Sequence, residues 1–287
     1  MADVHLVDAT YELFRAYFGA PPKTSPSGNE VGACRGLVAT LAYLMREGAT
    51  HVGCATDHVI RSFRNDLFAG YKTEEGMPEV LASQFHLAED LMRAMGFVVW
   101  PMVEFEADDA LATAAARFAA SATQVHICTP DKDLAQCVRG DHVVMLDRKG
   151  KKTLNEAAVI EKFGVPPSGI PDYLALVGDT SDGYPGITGF GKKTAGLLVT
   201  AFGRLEDIPA DSKTWPSAVR GAVNLAPVLA ARMDEALLYK RLAILRTDVP
   251  MQESFDDLEW RGALPELRKL TSELGFPDVC DRIPKWQ

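Results

Sequence analysis

Short apolar runs alternate along the first half of the chain with longer segments whose apolar positions recur at helical spacing. The helical pattern covers residues 31–47, 78–95 and 109–120. Gly48 and Gly96 directly follow the first two segments, at the position where glycine commonly ends a helix. The short runs are rich in β-branched residues and predict strands over residues 4–7, 51–56, 97–102, 124–129 and 142–146. This alternation predicts an α/β fold with a mostly parallel central sheet and helices on both of its faces.

The second half of the chain has a helical pattern. Residues 155–163 predict a short helix, and residues 226–245 predict an amphipathic helix that we interpret as scaffold. Between them, residues 170–203 contain two motifs, GDTSDG and GITGFGKKTA. We therefore expect two domains, an α/β core over residues 1–152 and a helical part over residues 153–287.

Composition narrows the class of protein. The chain has 287 residues, of which 47% are hydrophobic and 24% charged, enough to bury a sizeable core. The N-terminus lacks the apolar stretch of a secretory signal, and no apolar run reaches membrane-spanning length. There are five cysteines and no metal-type CxxC pair, and Cys54 and Cys128 lie inside predicted strands, as suits a reducing cytosol. We expect a cytoplasmic protein with no membrane partner.

The charge of the chain is acidic. Taken alone, the formal net charge of -9 argues against a nucleic-acid partner. Two bound divalent cations would offset four of these charges, however, and the local distribution of charge matters more than its sum. Basic clusters occur at Arg61 with Arg64, at residues 148–152 and at Lys192 with Lys193. Each of them is also compatible with an ordinary solvated surface.

Acidic residues follow four of the predicted strands, namely Asp8, Asp57, the stretch EFEADD (104–109), and Asp131 with Asp133. A single one would be a common turn residue, and acids at the start of a helix offset its dipole. The carboxyl ends of parallel strands meet at one edge of a sheet, where ligands bind. Clustered carboxylates without counter-charge repel each other, so the pattern predicts two or more Mg²⁺ or Mn²⁺ ions at this edge. Neither HExxH nor a Cys/His cluster is present, which argues against zinc.

The two motifs of the helical half suggest further binding. In GDTSDG, Asp179 and Asp182 stand three apart and can face the same way, either as an Asx-turn or as further metal ligands. GITGFGKKTA (186–195) predicts a helix-hairpin-helix whose glycines let backbone N–H groups approach a phosphate. Lysine at a helix start is unfavourable for the dipole, so Lys192 and Lys193 indicate an anionic ligand. The alternative is a tight turn between helices that needs glycine for its backbone angles.

Six stretches of the chain resemble motifs of the structure-specific 5′ nucleases. This is the 5′→3′ exonuclease/flap endonuclease family, which includes the N-terminal domain of bacterial DNA polymerase I. The stretches occur in family order between residues 4 and 250: LVDATYELFRAYF, FRNDLFAGYK, EADDALATAA, TPDKDLAQ, LALVGDTSDGYPGITGFGKKTA and LRTDVP. The resemblance implies a PIN-like nuclease core, and the chain is similar to a stand-alone bacterial member without a polymerase domain.

The resemblance also assigns roles to individual residues. Arg15 and Lys72 resemble the basic residues that engage the scissile phosphate, and Tyr71 resembles the aromatic residue that stacks on a base near the cut. Glu104 matches no family carboxylate and is interpreted as a bystander. The carboxylates that fall on the family's metal site are Asp8, Asp57, Glu106, Asp108, Asp109, Asp131, Asp133, Asp179 and Asp182. The catalytic group comprises Arg15, Lys72, Asp8, Asp57, Glu106 and Asp108. The DNA-binding residues are Tyr71, Arg64, Gly189, Gly191, Lys192 and Lys193.

The implied activity is hydrolysis of DNA phosphodiesters with two or more Mg²⁺ or Mn²⁺ ions, in DNA replication and repair. The implied partner is DNA with a 5′ end or a 5′ flap at a duplex junction. The hairpin, at about residues 178–203, would grip duplex DNA with a K⁺ ion bound by its backbone carbonyls, and residues 73–100 would form a helical gate. We expect a monomer that acts in the bacterial cytoplasm at the nucleoid.

Two departures from the family pattern leave an alternative open. Gly183 stands where the family usually has asparagine, and Glu74 and Glu75 replace a basic, proline-containing stretch. A duplex-DNA-binding protein that kept the hairpin but lost most of its catalysis therefore remains the alternative. A phosphatase of the haloacid-dehalogenase kind is disfavoured, because it needs DxD after the first strand, where this chain has Asp8-Ala9-Thr10.

Overall fold

A computed structural model describes residues 2–147 and 152–287 of the chain. Most of the basic cluster predicted at residues 148–152 lies outside the described residues, which include only its last member, Lys152. Within the described residues, no helix combines the length and apolar character needed to cross a bilayer.

Strands and helices alternate in the first half of the described chain, and helices dominate the second. The strands are β1 (Val4–Asp8), β2 (His51–Asp57), β3 (Val98–Met102), β4 (Val125–Cys128), β5 (Val143–Asp147) and β6 (Lys152–Leu154). The helices are α1 (Ala9–Gly19), α2 (Gly32–Arg46), α3 (Arg64–Leu67), α4 (Glu79–Ala82), α5 (Phe85–Ala94), α6 (Ala107–Phe118), α7 (Glu156–Phe163), α8 (Ile170–Val177), α9 (Lys192–Phe202), α10 (Ala222–Ala231), α11 (Met233–Ala243) and α12 (Glu266–Glu273).

The chain divides into two compact units. Unit 1 comprises Met1–Ile60, Glu74–Thr129 and Thr247–Gln287, and unit 2 comprises Arg61–Thr73 and Pro130–Arg246. Each unit is therefore assembled from segments that are distant in sequence.

Unit 1 contains a parallel sheet in the order β3-β2-β1-β4. In the register, Val7 lies opposite Cys54 of β2 and opposite Cys128 of β4. Helices α1, α5 and α6 pack against these strands, and α2 packs against α1. Leu6 and Leu111 are fully buried in the resulting core. The parallel sheet predicted from the alternating pattern is therefore confirmed.

Two helical features of unit 1 differ from the sequence-based prediction. Helix α1 follows β1 directly and was not predicted. The helix predicted over residues 78–95 is two helices, α4 and α5. Between them, the Ser83 hydroxyl donates to the carbonyl of Val80 at 3.0 Å, and the buried Gln84 side chain donates to the same carbonyl at 3.0 Å. These side chains compete with backbone N–H groups for the Val80 carbonyl, and this competition accounts for the break between α4 and α5.

Unit 2 packs α8 against both α9 and α11 and contains the antiparallel pair β5–β6. The amphipathic helix predicted over residues 226–245 is also divided. Arg232 lies outside helical geometry, at φ -117° and ψ 20°, and separates α10 from α11.

Arg64 is fully buried in unit 2 and closes the C-terminal end of α11. Its guanidinium donates from Nε to the Leu242 carbonyl at 2.8 Å and from Nη2 to the Ile244 carbonyl at 3.0 Å. The last carbonyls of a helix have no partner within the helix, and a cation there also compensates the negative end of the dipole. The structure therefore gives Arg64 a role in the fold, and its burial argues against the direct contact with DNA that the resemblance implies.

Replacing Arg64 with methionine should destabilise the protein measurably. The variant leaves the carbonyls of Leu242 and Ile244 without their donor, which costs about 1–3 kcal/mol for a buried group left unpaired. Urea unfolding followed by circular dichroism measures the change. Arg61→Met is the matched control, because Arg61 is exposed in the same unit and should change the free energy of unfolding little. Equal stability of the two variants would contradict this role of Arg64.

Candidate active site

Unit 1 places Asp8 at the end of β1, where the strand passes directly into α1. The Asp8 side chain caps the helix, since Oδ1 accepts the backbone N–H of Tyr11 at 2.8 Å. Its second oxygen, Oδ2, accepts the hydroxyl of Thr129 at 2.9 Å, just beyond β4. Asp8 is 6% exposed, so two hydrogen bonds from neighbouring elements hold a largely buried carboxylate in one orientation.

Asp57 occupies the corresponding position at the end of β2, next to β1 in the sheet. Its backbone N–H donates to the Thr10 hydroxyl at 2.8 Å, and its Oδ1 accepts the N–H of Ala107 at 2.8 Å. The second bond reaches the first turn of α6. Asp57 therefore connects the carboxyl end of the sheet with the acidic start of α6, as the sequence pattern predicts.

The acidic stretch before α6 separates into residues with different surroundings. Glu106 caps the helix and forms a capping box with Asp109, whose Oδ2 accepts the Glu106 N–H at 3.0 Å. Asp109 is fully buried and Asp108 is half-buried, whereas Glu104 is exposed. The structure thus gives Asp109 a capping function and leaves Glu104 at the surface, where its role as a bystander stays a prediction.

Arg15 lies on α1 beside an acid that the sequence analysis missed. Its Nε donates to Oε2 of Glu12 at 2.6 Å, and its Nη2 donates to the Thr40 hydroxyl at 2.9 Å. Glu12 is 2% exposed, whereas about a third of the Arg15 side chain is exposed. The spacing of three residues on one helix face is the signal that could have identified this pair.

Unit 2 brings the other acidic residues together. Asp133, Asp179 and Asp182 each offer a carboxylate oxygen within 4.8 Å of those of the other two. Asp131 adjoins them, because its Oδ1 accepts the backbone N–H of Asp133 at 3.0 Å. We refer to these four residues as the unit 2 acidic group. Its oxygen-only donor set is the one that hard divalent cations such as Mg²⁺ and Mn²⁺ prefer.

The electrostatics of the unit 2 acidic group fit a bound cation. Burial and the neighbouring carboxylates of Asp131 and Asp182 hold the pKa of Asp133 well above its usual range. Oδ1 of Asp133 is buried and has no hydrogen-bond partner within the described residues. A buried carboxylate oxygen without a donor is costly in a folded protein. A divalent cation would supply the missing interaction, so the residues present suit a metal ion.

Lys132 provides positive charge inside the unit 2 acidic group and was not identified from the sequence. Its ammonium group pairs with Asp179 and lies 3.9 Å from Oδ1 of Asp133. Burial lowers the pKa of Lys132, but the carboxylates of Asp133 and Asp179 raise it more, so that the net shift is upward. The position of Lys132 between two acids in the motif TPDKD is the sequence signal that could have identified it.

The loop between α8 and α9 is tightly closed. Backbone hydrogen bonds join Asp179 and Tyr184 in both directions, at 2.8 Å and 3.0 Å. Gly178 and Gly186 have positive φ, and a Cβ on either would lie 2.4 Å from backbone atoms of the opposite segment. Gly183 also has positive φ, at +81°, and a Cβ there would lie 2.3 Å from the carbonyl oxygen of Gly70. Glycine at position 183 therefore suits this loop both in backbone angle and in space.

The residues predicted to bind DNA differ in exposure. Lys192 and Lys193 are exposed in the first turn of α9, and Gly191 caps that helix. Gly189 is exposed, with φ +93°. Tyr71, by contrast, is only 2% exposed, which argues against its stacking on a base in this conformation. The start of α9 is thus the part of the predicted DNA-binding set that faces solvent.

Lys72 follows Tyr71 in a segment that is fixed within unit 2. Its backbone N–H donates to the Asp182 carbonyl at 3.0 Å, and its own carbonyl accepts from the Asn65 side chain at 3.0 Å. The Lys72 side chain is half-buried. The backbone of Lys72 is therefore tied directly to one residue of the unit 2 acidic group.

Comparison with known proteins identifies the class of protein. Residues 3–164 match the family model described as 5′-3′ exonuclease, N-terminal resolvase-like domain, and residues 165–266 match 5′-3′ exonuclease, C-terminal SAM fold. The chain belongs to the 5′-3′ exonuclease family, which confirms the family and the class of nuclease hydrolase predicted from the motifs.

Curated relatives agree with this placement. The chain is 32% identical over 276 residues to the 5′-3′ exonuclease of Aquifex aeolicus, an alignment that covers 96% of the chain and 91% of that protein. It is 36% identical over 261 residues to DNA polymerase I of Pseudomonas aeruginosa, covering 90% of the chain. The chain spans only 28% of the length of that polymerase.

Solved structures share the fold. T5 5′-exonuclease with bound divalent zinc superposes with a TM-score of 0.69 at 19% identity, covering 98% of the chain and 96% of that structure. The catalytic core of Rad2 in complex with a DNA substrate gives a TM-score of 0.61 at 13% identity, covering 97% of the chain and 90% of that structure. These likenesses confirm the predicted nuclease fold.

Proposed function

We propose that the chain is a 5′→3′ exonuclease/flap endonuclease that hydrolyses DNA phosphodiesters with two or more Mg²⁺ or Mn²⁺ ions. The observation that carries this proposal is the unit 2 acidic group, an all-oxygen cluster with a buried carboxylate oxygen that has no hydrogen-bond partner among the described residues. Membership of the 5′-3′ exonuclease family supports it. DNA with a 5′ end or a 5′ flap at a duplex junction would be the substrate, and DNA replication and repair the process.

The carboxylates of each unit would hold divalent ions by themselves. In unit 1 these are Asp8, Asp57, Glu106 and Asp108. Asp109 completes the capping box and would therefore contribute less directly to metal binding. In unit 2 they are the members of the unit 2 acidic group. When bound, such ions lower the pKa of a water molecule and stabilise developing negative charge on phosphate oxygens. The hydrogen bonds to Asp8 and Asp57 keep these carboxylates oriented before a substrate arrives.

Arg15 and Lys72 would bind the scissile phosphate. Both side chains are partly exposed, and each is attached to a fixed element. The Arg15 guanidinium is oriented by Glu12 and Thr40, whereas the Lys72 backbone is bonded to Asp182 and Asn65. A positive group that is held in place, as the Arg15 guanidinium is, stabilises charge without reorganising during the reaction. We therefore assign them to neutralising the phosphate rather than to metal binding.

The loop and helix start at Gly189, Gly191, Lys192 and Lys193 would contact duplex DNA as a helix-hairpin-helix. The first N–H groups of a helix have no partner within it, α9 has no side-chain cap among the described residues, and its first turn carries two exposed lysines. Such a surface binds phosphates irrespective of base sequence. A K⁺ ion held by the loop carbonyls would strengthen the same contact.

Replacing Lys192 and Lys193 together by glutamine should weaken duplex binding without abolishing cleavage at saturating DNA. Each lost phosphate contact lowers the slope of log affinity against log salt by about 0.9. Fluorescence anisotropy at several salt concentrations measures the slope. Lys269→Gln on α12 is a control for loss of an exposed lysine. An unchanged slope in the double variant would remove these lysines from the interface.

We propose that α4 and α5, in the segment about 73–100, act as the helical gate through which a single-stranded 5′ end passes. Glu74 and Glu75 are exposed at its start, so this entrance is acidic where the family usually has basic residues. We also propose action in the bacterial cytoplasm, at the nucleoid; the relatives named as bacterial DNA-processing proteins support a role on DNA. The monomeric state remains a prediction.

Product mapping on three end-labelled DNAs tests the proposed function. A 5′-flap duplex, a blunt duplex and a single strand would each be incubated with Mg²⁺, Mn²⁺ or EDTA. We expect metal-dependent cuts near the flap junction and none in EDTA. Duplex binding without cleavage in either metal would instead support the alternative, a DNA-binding protein that kept the hairpin.

A further inference from the structure

A second group of metal-ligating side chains lies in unit 1, among residues to which hydrolysis assigns no role. His58 directly follows β2, and His86 and Glu89 lie three residues apart on α5. Each of the three offers one ligand atom, and these atoms all lie within 4.8 Å of one another. The sequence did not reveal this group, because His58 is separated from α5 by 27 positions and no familiar spacing connects them.

Glu89 is the buried member of this group. It is 2% exposed, and its Oε1 accepts the hydroxyl of Thr56 at 2.9 Å. Nδ1 of His58 lies 3.0 Å from Oε1 and 3.1 Å from Oε2. The carboxylate is therefore fixed against the end of β2, and it fixes the orientation of the His58 ring.

The two imidazole rings face each other at the mouth of the group. Their centroids are 4.4 Å apart and their planes are inclined at 59°. His86 is exposed, and about a third of the His58 side chain is exposed. The two histidines are therefore more accessible to solvent than Glu89, which is buried.

We propose that His58, His86 and Glu89 form a binding site for a transition-metal ion such as Zn²⁺ or Co²⁺. Two imidazole nitrogens and one carboxylate oxygen are a ligand set that such ions accept, leaving room for water in the remaining position. In a tetrahedral site with bonds of about 2.0–2.2 Å, ligand atoms lie roughly 3.4 Å apart. The ligand atoms of the three side chains, within 4.8 Å of one another, would draw together to reach that spacing.

This site differs in chemistry from the all-oxygen groups. Mg²⁺ and Mn²⁺ favour carboxylate, carbonyl and water oxygens, whereas imidazole suits Zn²⁺, Co²⁺ and Ni²⁺. The bound ion would join the end of β2 to α5 through side chains of both. Its expected consequence is a higher resistance of unit 1 to unfolding, since an ion that binds only the folded form stabilises it.

A simpler interpretation is that Glu89 serves only as a hydrogen-bond partner. Thr56, His58 and, at 3.4 Å, Arg93 all contact its carboxylate. That interpretation gives His86 no part, because none of these contacts involves it. The contribution of His86 to metal affinity therefore decides between the two.

Metal binding to the chain without a histidine tag tests the proposal. Millimolar Mg²⁺ would be present throughout to occupy the oxygen-only groups, and Co²⁺ or Zn²⁺ would be titrated against a chromogenic chelator. We expect one tightly bound ion per chain and a visible Co²⁺ absorption band that indicates nitrogen ligands. In His86→Ala, affinity should fall by more than the roughly 10–100-fold that loss of an outer-sphere partner costs.

Two further variants make the outcome decisive. His142→Ala removes an exposed histidine of unit 2 and should bind Co²⁺ as the wild type does. Glu89→Gln keeps the size of the side chain and should weaken binding even if circular dichroism is unchanged. The proposal would be overturned if the wild type and His86→Ala bound Co²⁺ with equal affinity. It would also be overturned if Mg²⁺ displaced all of the Co²⁺ that the wild type binds.

Discussion

Asp8→Asn is expected to lower the rate of metal-dependent DNA cleavage by about 10³-fold, the upper range for loss of one preorganised electrostatic contact. The substitution removes one negative charge from the unit 1 carboxylates without changing the size of the side chain. A neutral amide is a far weaker ligand for Mg²⁺ than a carboxylate. The effect should therefore appear in turnover, whereas binding of DNA by other parts of the chain should persist.

The fold should tolerate this substitution because asparagine can replace the hydrogen bonds that Asp8 makes with Tyr11 and Thr129. Its side-chain oxygen can accept the Tyr11 N–H, and asparagine is as good a helix N-cap as aspartate. The Thr129 hydroxyl, which now donates to Asp8, can rotate to accept from the amide instead. We expect a change in the free energy of unfolding below about 1 kcal/mol.

Single-turnover cleavage of a labelled 5′-flap duplex in Mg²⁺ measures the effect, with anisotropy and thermal unfolding recorded on the same preparations. Glu104→Gln is the matched control, since it removes an exposed acid from the stretch before α6 and should leave the rate unchanged. Full turnover by Asp8→Asn would remove Asp8 from the metal-binding set. An equal loss in both variants would point to net charge rather than to a specific ligand.

The sequence predicted the parallel strands of unit 1 well, because their signal is local. Apolar β-branched runs followed by acids place Asp8 and Asp57 at the carboxyl ends of neighbouring strands, and the register confirms that placement. Helix α1 was missed because Asp8 was interpreted only as an acid at the end of a strand, whereas it is also the N-cap from which the helix begins. The breaks at Ser83 and Arg232 were missed because the apolar periodicity continues across them, while side-chain hydrogen bonds at Ser83 and a non-helical backbone at Arg232 interrupt the helices.

The parts of the site that could not be predicted depend on contacts between distant segments. Burial of Arg64 requires the end of α11, which lies 178 positions away. The proximity of His58 to Glu89 likewise depends on how α5 packs beside β2. Periodicity and spacing describe neighbours along the chain. They do not show which polar residue is buried by a segment that is distant in sequence.

Asp133→Asn is expected to have opposite effects on stability and on cleavage. Without divalent metal, the variant should be more stable than the wild type, since a carboxyl group whose pKa is raised on folding opposes folding at neutral pH. The reason is that burial, and after it the charges of Asp131, Asp182 and Asp179, raise the pKa of Asp133 and disfavour its charged form in the folded chain. Cleavage in Mg²⁺ should fall by about 10²-fold, because the neutral amide holds the ion less well.

Urea unfolding in EDTA and in Mg²⁺, together with cleavage of the flap duplex, separates these effects. Mg²⁺ should stabilise the wild type more than the variant, because an ion that binds the folded form raises its stability in proportion to its affinity. Asp234→Asn in the first turn of α11 is the matched control in unit 2, where an exposed acid favours the helix dipole. It should destabilise the protein by a few tenths of a kcal/mol and leave cleavage unchanged.

A metal ligand differs from a structural carboxylate in that its replacement raises stability in EDTA but lowers the rate of cleavage in Mg²⁺. If Asp133 served the fold, its replacement would lower stability in EDTA, and activity would follow the loss of folded protein. If Asp133 served a cation, the cost of burying its charge would remain in the metal-free chain and would be offset only when the ion is bound. A variant that is less stable in EDTA yet still cleaves would thus show that the buried oxygen of Asp133 is not needed to hold a metal.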